Sequence, residues 1–198
     1  SIFARSQYGQ SVFDYPLFHN SEISNYESFV LRNSGNDWTS TKLRDGYITS
    51  LASKTDVDHQ LFRPAIIYLN GEYWGIQNIR EKVNEHFLSS HHDINPENID
   101  LLDIQGTNPE NIVHGTNIDY LNLLDYLNNN DIREPAVQSG IEGWIDINSF
   151  MQYQAFQIFI DNRDWPGKKI KFWRDHRTTG KWRWILYDTD FGFGIWDY

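Results

Sequence analysis

The chain has 198 residues, no cysteine and a formal charge of −10, from 17 Lys and Arg against 27 Asp and Glu. The missing cysteines exclude a disulfide framework and a thiolate metal site, and the acidic balance counts against binding a nucleic-acid backbone or an anionic membrane surface. Eight Trp, eleven Tyr and twelve Phe suffice for the core of one domain, or of one domain with a small lobe, which excludes disorder.

The N-terminal residues Ser1 to Arg5 read as strand, without an initiator Met or signal peptide, so the chain is expected to be a piece of a longer polypeptide. Ser28 to Arg32 reads as a buried strand, followed by a turn cluster at Asn33 to Asp37. Thr39 to Ala52 reads as a helix, with Leu43, Tyr47, Ile48 and Leu51 at helical spacing and Ser40 or Thr41 as cap. Pro64 to Leu69 is a continuous apolar strand, Asn70-Gly71 a hairpin turn, and Glu72 to Ile79 the returning partner.

Val83 to Ser90 reads as a helix, and His91 to Asn98 as a polar connector on which His91 and His92 are solvated. A strand is expected over Ile99 to Ile104, a loop over Gly106 to Gly115 and a helix over Ile118 to Asn128. The longest helix is expected over Asp146 to Ile160, burying a face made of Ile147, Phe150, Met151, Gln154, Ala155, Ile158 and Phe159. Two strands close the chain, Ile170 to Trp173 and Trp182 to Tyr187, joined by a turn at Thr178-Thr179-Gly180. No apolar run reaches the ~18 residues a membrane-spanning helix needs. The order of elements predicts an α+β fold with two unequal parts.

Two carboxylate sets could carry chemistry. Asp161-Asn162-Arg163-Asp164 follows the long helix, and Asp188-Thr189-Asp190 closes the last strand. The strand period of two would place Asp188 and Asp190 on one face. Their repulsion would be relieved by a divalent cation, with oxygen ligands suiting Mg²⁺ or Mn²⁺. The same pair also reads as turn caps and a surface salt bridge. Protein kinases place a catalytic-loop Asp before a metal-binding Asp in a later segment, and Asp164 and Asp188 stand in that order. The triplet Asp190-Phe191-Gly192 is too short to carry weight.

Several blocks together are more specific. They are Leu31 to Trp38, Leu43-Arg44-Asp45, Asn70 to Gly75 running on to Arg80-Glu81, Asn162 to Pro166, and Trp182 to Gly194. In this order they resemble the signature series of the spore coat protein H (CotH) kinase family, in its Trp-rich secreted bacterial type. The resemblance implies an atypical protein-kinase-like fold over 1–198. Residues 1–81 would form a partial small lobe with its hairpin and a hinge. Residues 82–198 would form a mainly helical large lobe ending in a carboxylate-tipped hairpin. It implies transfer of the ATP γ-phosphate to Ser/Thr of secreted or surface proteins, with Mg²⁺ or Mn²⁺. Asp164 would be catalytic, Asp188 and Asp190 would serve the metal, and Glu81 would lie near the nucleotide.

The family usually carries Asn five residues after the catalytic Asp, where this chain has Lys169. Lys offers no oxygen to a metal, so Lys169 either contacts phosphate in place of one metal charge or marks a non-catalytic pseudokinase or surface-assembly module, as in polysaccharide degradation. The family's Gly/Ser-rich strand and nucleotide-binding Lys would precede Ser1. Most Trp and Tyr residues read as core rather than as a sugar platform. The cluster Lys168, Lys169, Lys171, Arg174 and Arg177 reads equally as a solvated hairpin face or as a phosphate contact. Glu142 and Asp146 read as solubilising charge.

Overall fold

A computed structural model of the chain describes residues 1–105, 108–178 and 180–195. In chain order the elements begin with β1 (Ile2–Phe3), β2 (Phe13–Asp14), β3 (Asn25–Tyr26), β4 (Ser28–Arg32) and α1 (Arg44–Leu51). Then come β5 (Asp58–His59), β6 (Phe62–Leu69), β7 (Glu72–Glu81), α2 (Glu85–His92), β8 (Ile99–Gln105) and β9 (Asn108–His114). The chain closes with α3 (Ile118–Asn129), α4 (Pro135–Trp144), α5 (Ile147–Phe159), β10 (Ile170–Asp175) and β11 (Arg183–Leu186). The mixture is α+β, as expected.

An antiparallel four-stranded sheet has the order β1-β4-β7-β6. Its hairpin turns at Asn70-Gly71, where Asn70 has φ 52° and Gly71 φ 85°, the left-handed pair that Asn-Gly supplies at least cost. The tip projects: Ile66, Tyr68, Tyr73 and Trp74 are each more than half exposed. These aromatics and the exposed Trp38 therefore lie outside the core expected for most Trp and Tyr residues.

The C-terminal part holds more helix than strand, and a sheet lies at its centre. The hairpin β10-β11 is the middle of a five-stranded sheet of order β5-β11-β10-β8-β9, antiparallel except for β5 against β11. Its central strands are apolar on both faces because both are covered. Leu101, Trp173 and Ile185 pack against Phe87 and Leu88 of α2, whereas Leu102, Phe172 and Trp182 pack against Leu123 of α3. The first and last parts of the chain share a core, in which Ile48, Ala52 and Val57 meet Tyr153, Phe156, Ile160 and Leu186. Among the described residues no helix is long and apolar enough to cross a membrane.

Several expectations are corrected. Residues 108–114, expected in a loop, form β9 against β8, while Gly106 lies outside the described residues, as does Thr179 of the expected turn. The helix α4 was not anticipated, although Pro135 at its first turn and half-buried Val137, Ile141 and Trp144 are helix signals. The helix expected from Thr39 starts at Arg44. Buried Asp37 takes the amides at its start, accepting from Leu43 N and Arg44 N, both at 3.1 Å, and Thr41 shares the role, its Oγ1 accepting from Leu43 N at 3.2 Å.

The face of α5 is also different. Ser149, Tyr153, Phe156 and Gln157 are buried, while Met151, Ile158 and Phe159 are exposed. The helix carries two apolar stripes, and the one bearing the Tyr153 ring faces α1. Gln157 tolerates burial because its Oε1 accepts from Asn162 Nδ2 at 2.9 Å. Asp146 is structural rather than solubilising: it caps α5 by accepting from Ser149 N at 3.1 Å and binds Arg183.

Candidate functional site

The site is built where β4, α1 and the segment after β11 meet. The pairing of β4 with β7 sets Arg80 opposite Val30 and Asn78 opposite Arg32, so Arg32, Asn78 and Arg80 share one face of the sheet. Arg80 is 1% exposed and donates to Asp45 Oδ2 at 2.6 Å. The other oxygen of Asp45 accepts from Thr189 N at 2.8 Å and Thr189 Oγ1 at 3.0 Å. Asp45, in the first turn of α1, therefore ties the four-stranded sheet to the Asp188-Thr189-Asp190 segment.

Asp188 lies beyond the end of β11 with φ 53°, a left-handed conformation that Asp tolerates better than most residues. The expected strand spacing is therefore absent, yet the two carboxylates still converge, on Arg32. Arg32 Nη2 donates to Asp188 Oδ1 and lies 3.5 Å from Asp190 Oδ1, while its Nε is 3.6 Å from Asp45. Lys169 Nζ donates to the second oxygen of Asp188. Asp190 Oδ2 accepts from Asn36 N at 2.7 Å and Asn36 Nδ2 at 3.0 Å. A side chain at Gly35 would start 2.3 Å from that oxygen, on a residue with φ 56°, so only glycine fits there.

The two acids are driven apart electrostatically. Burial alone would raise Asp188, but Arg32 and Lys169 outweigh it and hold the carboxyl below its usual range. Burial raises Asp190, and the neighbouring Asp188 charge adds to it. Asp190 is 1% exposed, and its buried Oδ1 makes no hydrogen bond.

The loop after α5 runs beside this segment. Phe193 N donates to Ile160 O at 2.6 Å and Arg163 N to Phe191 O at 3.5 Å. Asn162 is buried and its Oδ1 accepts from Asp164 N at 3.2 Å. The Asp164 carboxylate is half-buried and has no side-chain partner among the described residues. Lys169 has φ 58°, a conformation in which Asn is at ease, and its side chain joins the loop to Asp188.

The structure thus brings Asp188, Asp190 and Lys169 together and places the Asp164 loop alongside them. Glu81 does not join them through its side chain. It alternates with Arg80 along β7, its carboxylate accepts from Leu61 N at 2.8 Å, and it pairs with His91 at 2.7 Å. His91 and His92 close α2 rather than standing solvated on a connector, and His92 pairs with Asp58 at 2.8 Å. The basic cluster is largely spoken for: Lys171 pairs with Asp103 and Arg174 with Asp100 and Asp119.

A family model described as CotH kinase protein matches residues 7–198. The chain belongs to the CotH kinase family. No curated protein matches it.

In this CotH-family chain the fit to a divalent metal rests on Asp188 and Asp190. Among the described residues no group of three or more acidic, His or Cys side chains is arranged to hold a metal. Mg²⁺, however, needs only one or two carboxylates when phosphate oxygens and water complete its shell, and Asp190 Oδ1 is a buried acceptor without a donor. Asp188 and Asp190 are the carboxylates that would hold such an ion, with Lys169 displaced from Asp188. Sequence reasoning missed Arg32, Asn36, Asp45, Arg80 and Thr189. All five lay in blocks that carried the family resemblance, but nothing in the sequence says that two segments more than a hundred residues apart meet.

The His91 pair makes stability depend on pH. Burial lowers its pKa, but the hydrogen bond and charge of Glu81 outweigh burial and raise it. A raised folded pKa contributes stability that is fully present below the unfolded value, near 6.5, and lost as pH rises through the folded value. The expected result is a melting temperature that falls from pH 6 to pH 8, with a smaller fall in His91→Gln. An identical fall in both proteins refutes the assignment.

Proposed function

We propose that this CotH-family domain binds ATP with Mg²⁺ or Mn²⁺ and transfers the γ-phosphate to a Ser or Thr hydroxyl of a secreted or surface protein in a bacterium. The observation that supports it is the convergence of Asp188 and Asp190 beside a loop whose Asp164 carboxylate is uncommitted. Asp164 would accept the proton of the incoming hydroxyl and fix its direction. Asp188, kept ionised by its neighbours, and Asp190 would hold the metal, which supplies charge neutralisation at the phosphates when bound. Lys169 would place a fixed positive charge at the phosphoryl group. Glu81 is given no step, because its carboxylate is committed to Leu61 and His91.

A specific observation favours a second reading. The Lys169 ammonium sits on Asp188, where the family Asn would leave the carboxylate open, and a pseudokinase or surface-assembly module needs no open carboxylate. The experiment is calorimetry of the full-length protein with ATP and Mg²⁺, beside mass spectrometry of a generic Ser/Thr acceptor. Asp188→Ala is expected to remove Mg²⁺-dependent nucleotide binding and to lower the melting temperature, since the buried carboxylate is the partner of both Arg32 and Lys169. Unchanged affinity in that variant refutes the metal role. Nucleotide binding without transfer in any Mg²⁺ or Mn²⁺ concentration selects the second reading.

A further inference from the structure

Among the described residues, the charges paired around Asp188 balance without any bound ion. Asp45, Asp188 and Asp190 face Arg32, Arg80 and Lys169. Both oxygens of Asp188 are held by these cations, and Asp45 is held by Arg80 and Thr189. One acceptor is left over, the buried Oδ1 of Asp190, with Arg32 at 3.5 Å. A divalent cation entering alone would add two positive charges to a neutral, largely buried cluster beside Arg32 and Lys169. Phosphate entering alone would meet Asp188 and Asp190. Neither is favoured, because an uncompensated charge in a partly desolvated site is costly. Together they compensate: the metal takes the carboxylates, and the displaced cations turn to the phosphate charge that the metal leaves unbalanced.

We infer that Lys169 and Arg32 are built-in counter-cations that close the site at rest, so that metal and nucleotide phosphate bind only as a pair, by exchange with Lys169. The inference rests on the nucleotide reading above and deepens it. It assigns Arg32 a role that follows from its place on β4, and it gives Lys169 a function that an Asn at the same position would lack. Lys169 is the one to test first: its side chain is 32% exposed and Arg32 is 25% exposed, and only Arg32 also spans Asp45 and Asp190. Its removal is the less disruptive to packing.

The measurement is Mn²⁺ binding to the full-length protein without nucleotide, followed by the free-ion electron paramagnetic resonance signal, and repeated with ATP present. In the natural protein Mn²⁺ alone is expected to bind weakly and ATP to tighten it by about 5- to 150-fold, the usual span of coupling between two ligands. In Lys169→Gln, Mn²⁺ alone is expected to bind tighter and the gain from ATP to shrink by a similar factor. Lys169→Arg, which keeps the charge, is expected to behave like the natural protein. A merely structural Lys169 would give the opposite: Lys169→Gln binding Mn²⁺ no better, with Lys169→Arg equally altered. Failure of Mn²⁺ to bind in every variant also overturns the inference. Phosphate transfer with no change in Mn²⁺ affinity in Lys169→Gln overturns the inference and leaves the kinase reading. Tightened Mn²⁺ in Lys169→Gln, together with no transfer by the natural protein, supports the inference and removes the kinase reading.

Discussion

Asp164→Asn is expected to lower phosphate transfer by about 10²- to 10⁴-fold, the usual contribution of a positioned general base. The substitution keeps size and shape and removes only the basic oxygen. The carboxylate has no side-chain partner among the described residues, and the backbone contacts of Asp164, from its N to Asn162 Oδ1 and from Lys168 N to its O, do not use it. Stability is therefore expected to change by about 0.5 kcal/mol or less, as for surface changes away from buried networks, and nucleotide affinity to stay within a few-fold. The check is transfer rate and nucleotide affinity measured on the same preparation. A variant that transfers at the natural rate shows that Asp164 is not the base. One that loses nucleotide binding and activity together shows a binding role instead.

Arg80→Met is expected to destabilise the protein by about 3–5 kcal/mol, because a buried charge pair loses one partner and leaves the other uncompensated. Arg80 is 1% exposed and Asp45 4% exposed. Their contact is 2.6 Å, and Arg80 also donates to Thr49 Oγ1 at 3.2 Å and Gln60 Oε1 at 3.3 Å. The loss reaches the site, since Asp45 would be left to Arg32 and Thr189. Arg32 would then shift from Asp188 towards Asp45. Urea denaturation measures the first effect, with the Asp45→Asn, Arg80→Met double variant expected to recover part of the loss. Single and double variants of equal cost, or a cost under about 1 kcal/mol, would show that the pair is not a buried link between the sheet and α1.

Local signals were legible wherever one segment suffices. The Asn70-Gly71 turn, the strand at Ser28–Arg32 and the helix from Ile118 appear where turn chemistry and periodicity place them. The start of α1 was misplaced because its cap, Asp37, reaches forward from a separate turn, beyond the adjacent positions that cap rules consider. The buried face of α5 was misread because the helix is apolar on two sides, and periodicity does not say which side a partner will cover.

The sequence by itself determined the family, through ordered blocks of residues, and the types of side chain available: acids at 164, 188 and 190 and a lysine at 169. Residue type fixes what an atom can donate or accept, and that is local. Only the tertiary structure decided what those groups face. Arg32 comes to Asp188 because β4 packs over the segment after β11, Asp45 reaches Thr189 through the placement of α1, and Glu81 turns away to His91 by the two-residue alternation of β7. Electrostatic balance depends on distances between chain segments far apart in sequence, falling with separation and rising with burial, so the neutral cluster around Asp188 has no signature in any one stretch of the chain.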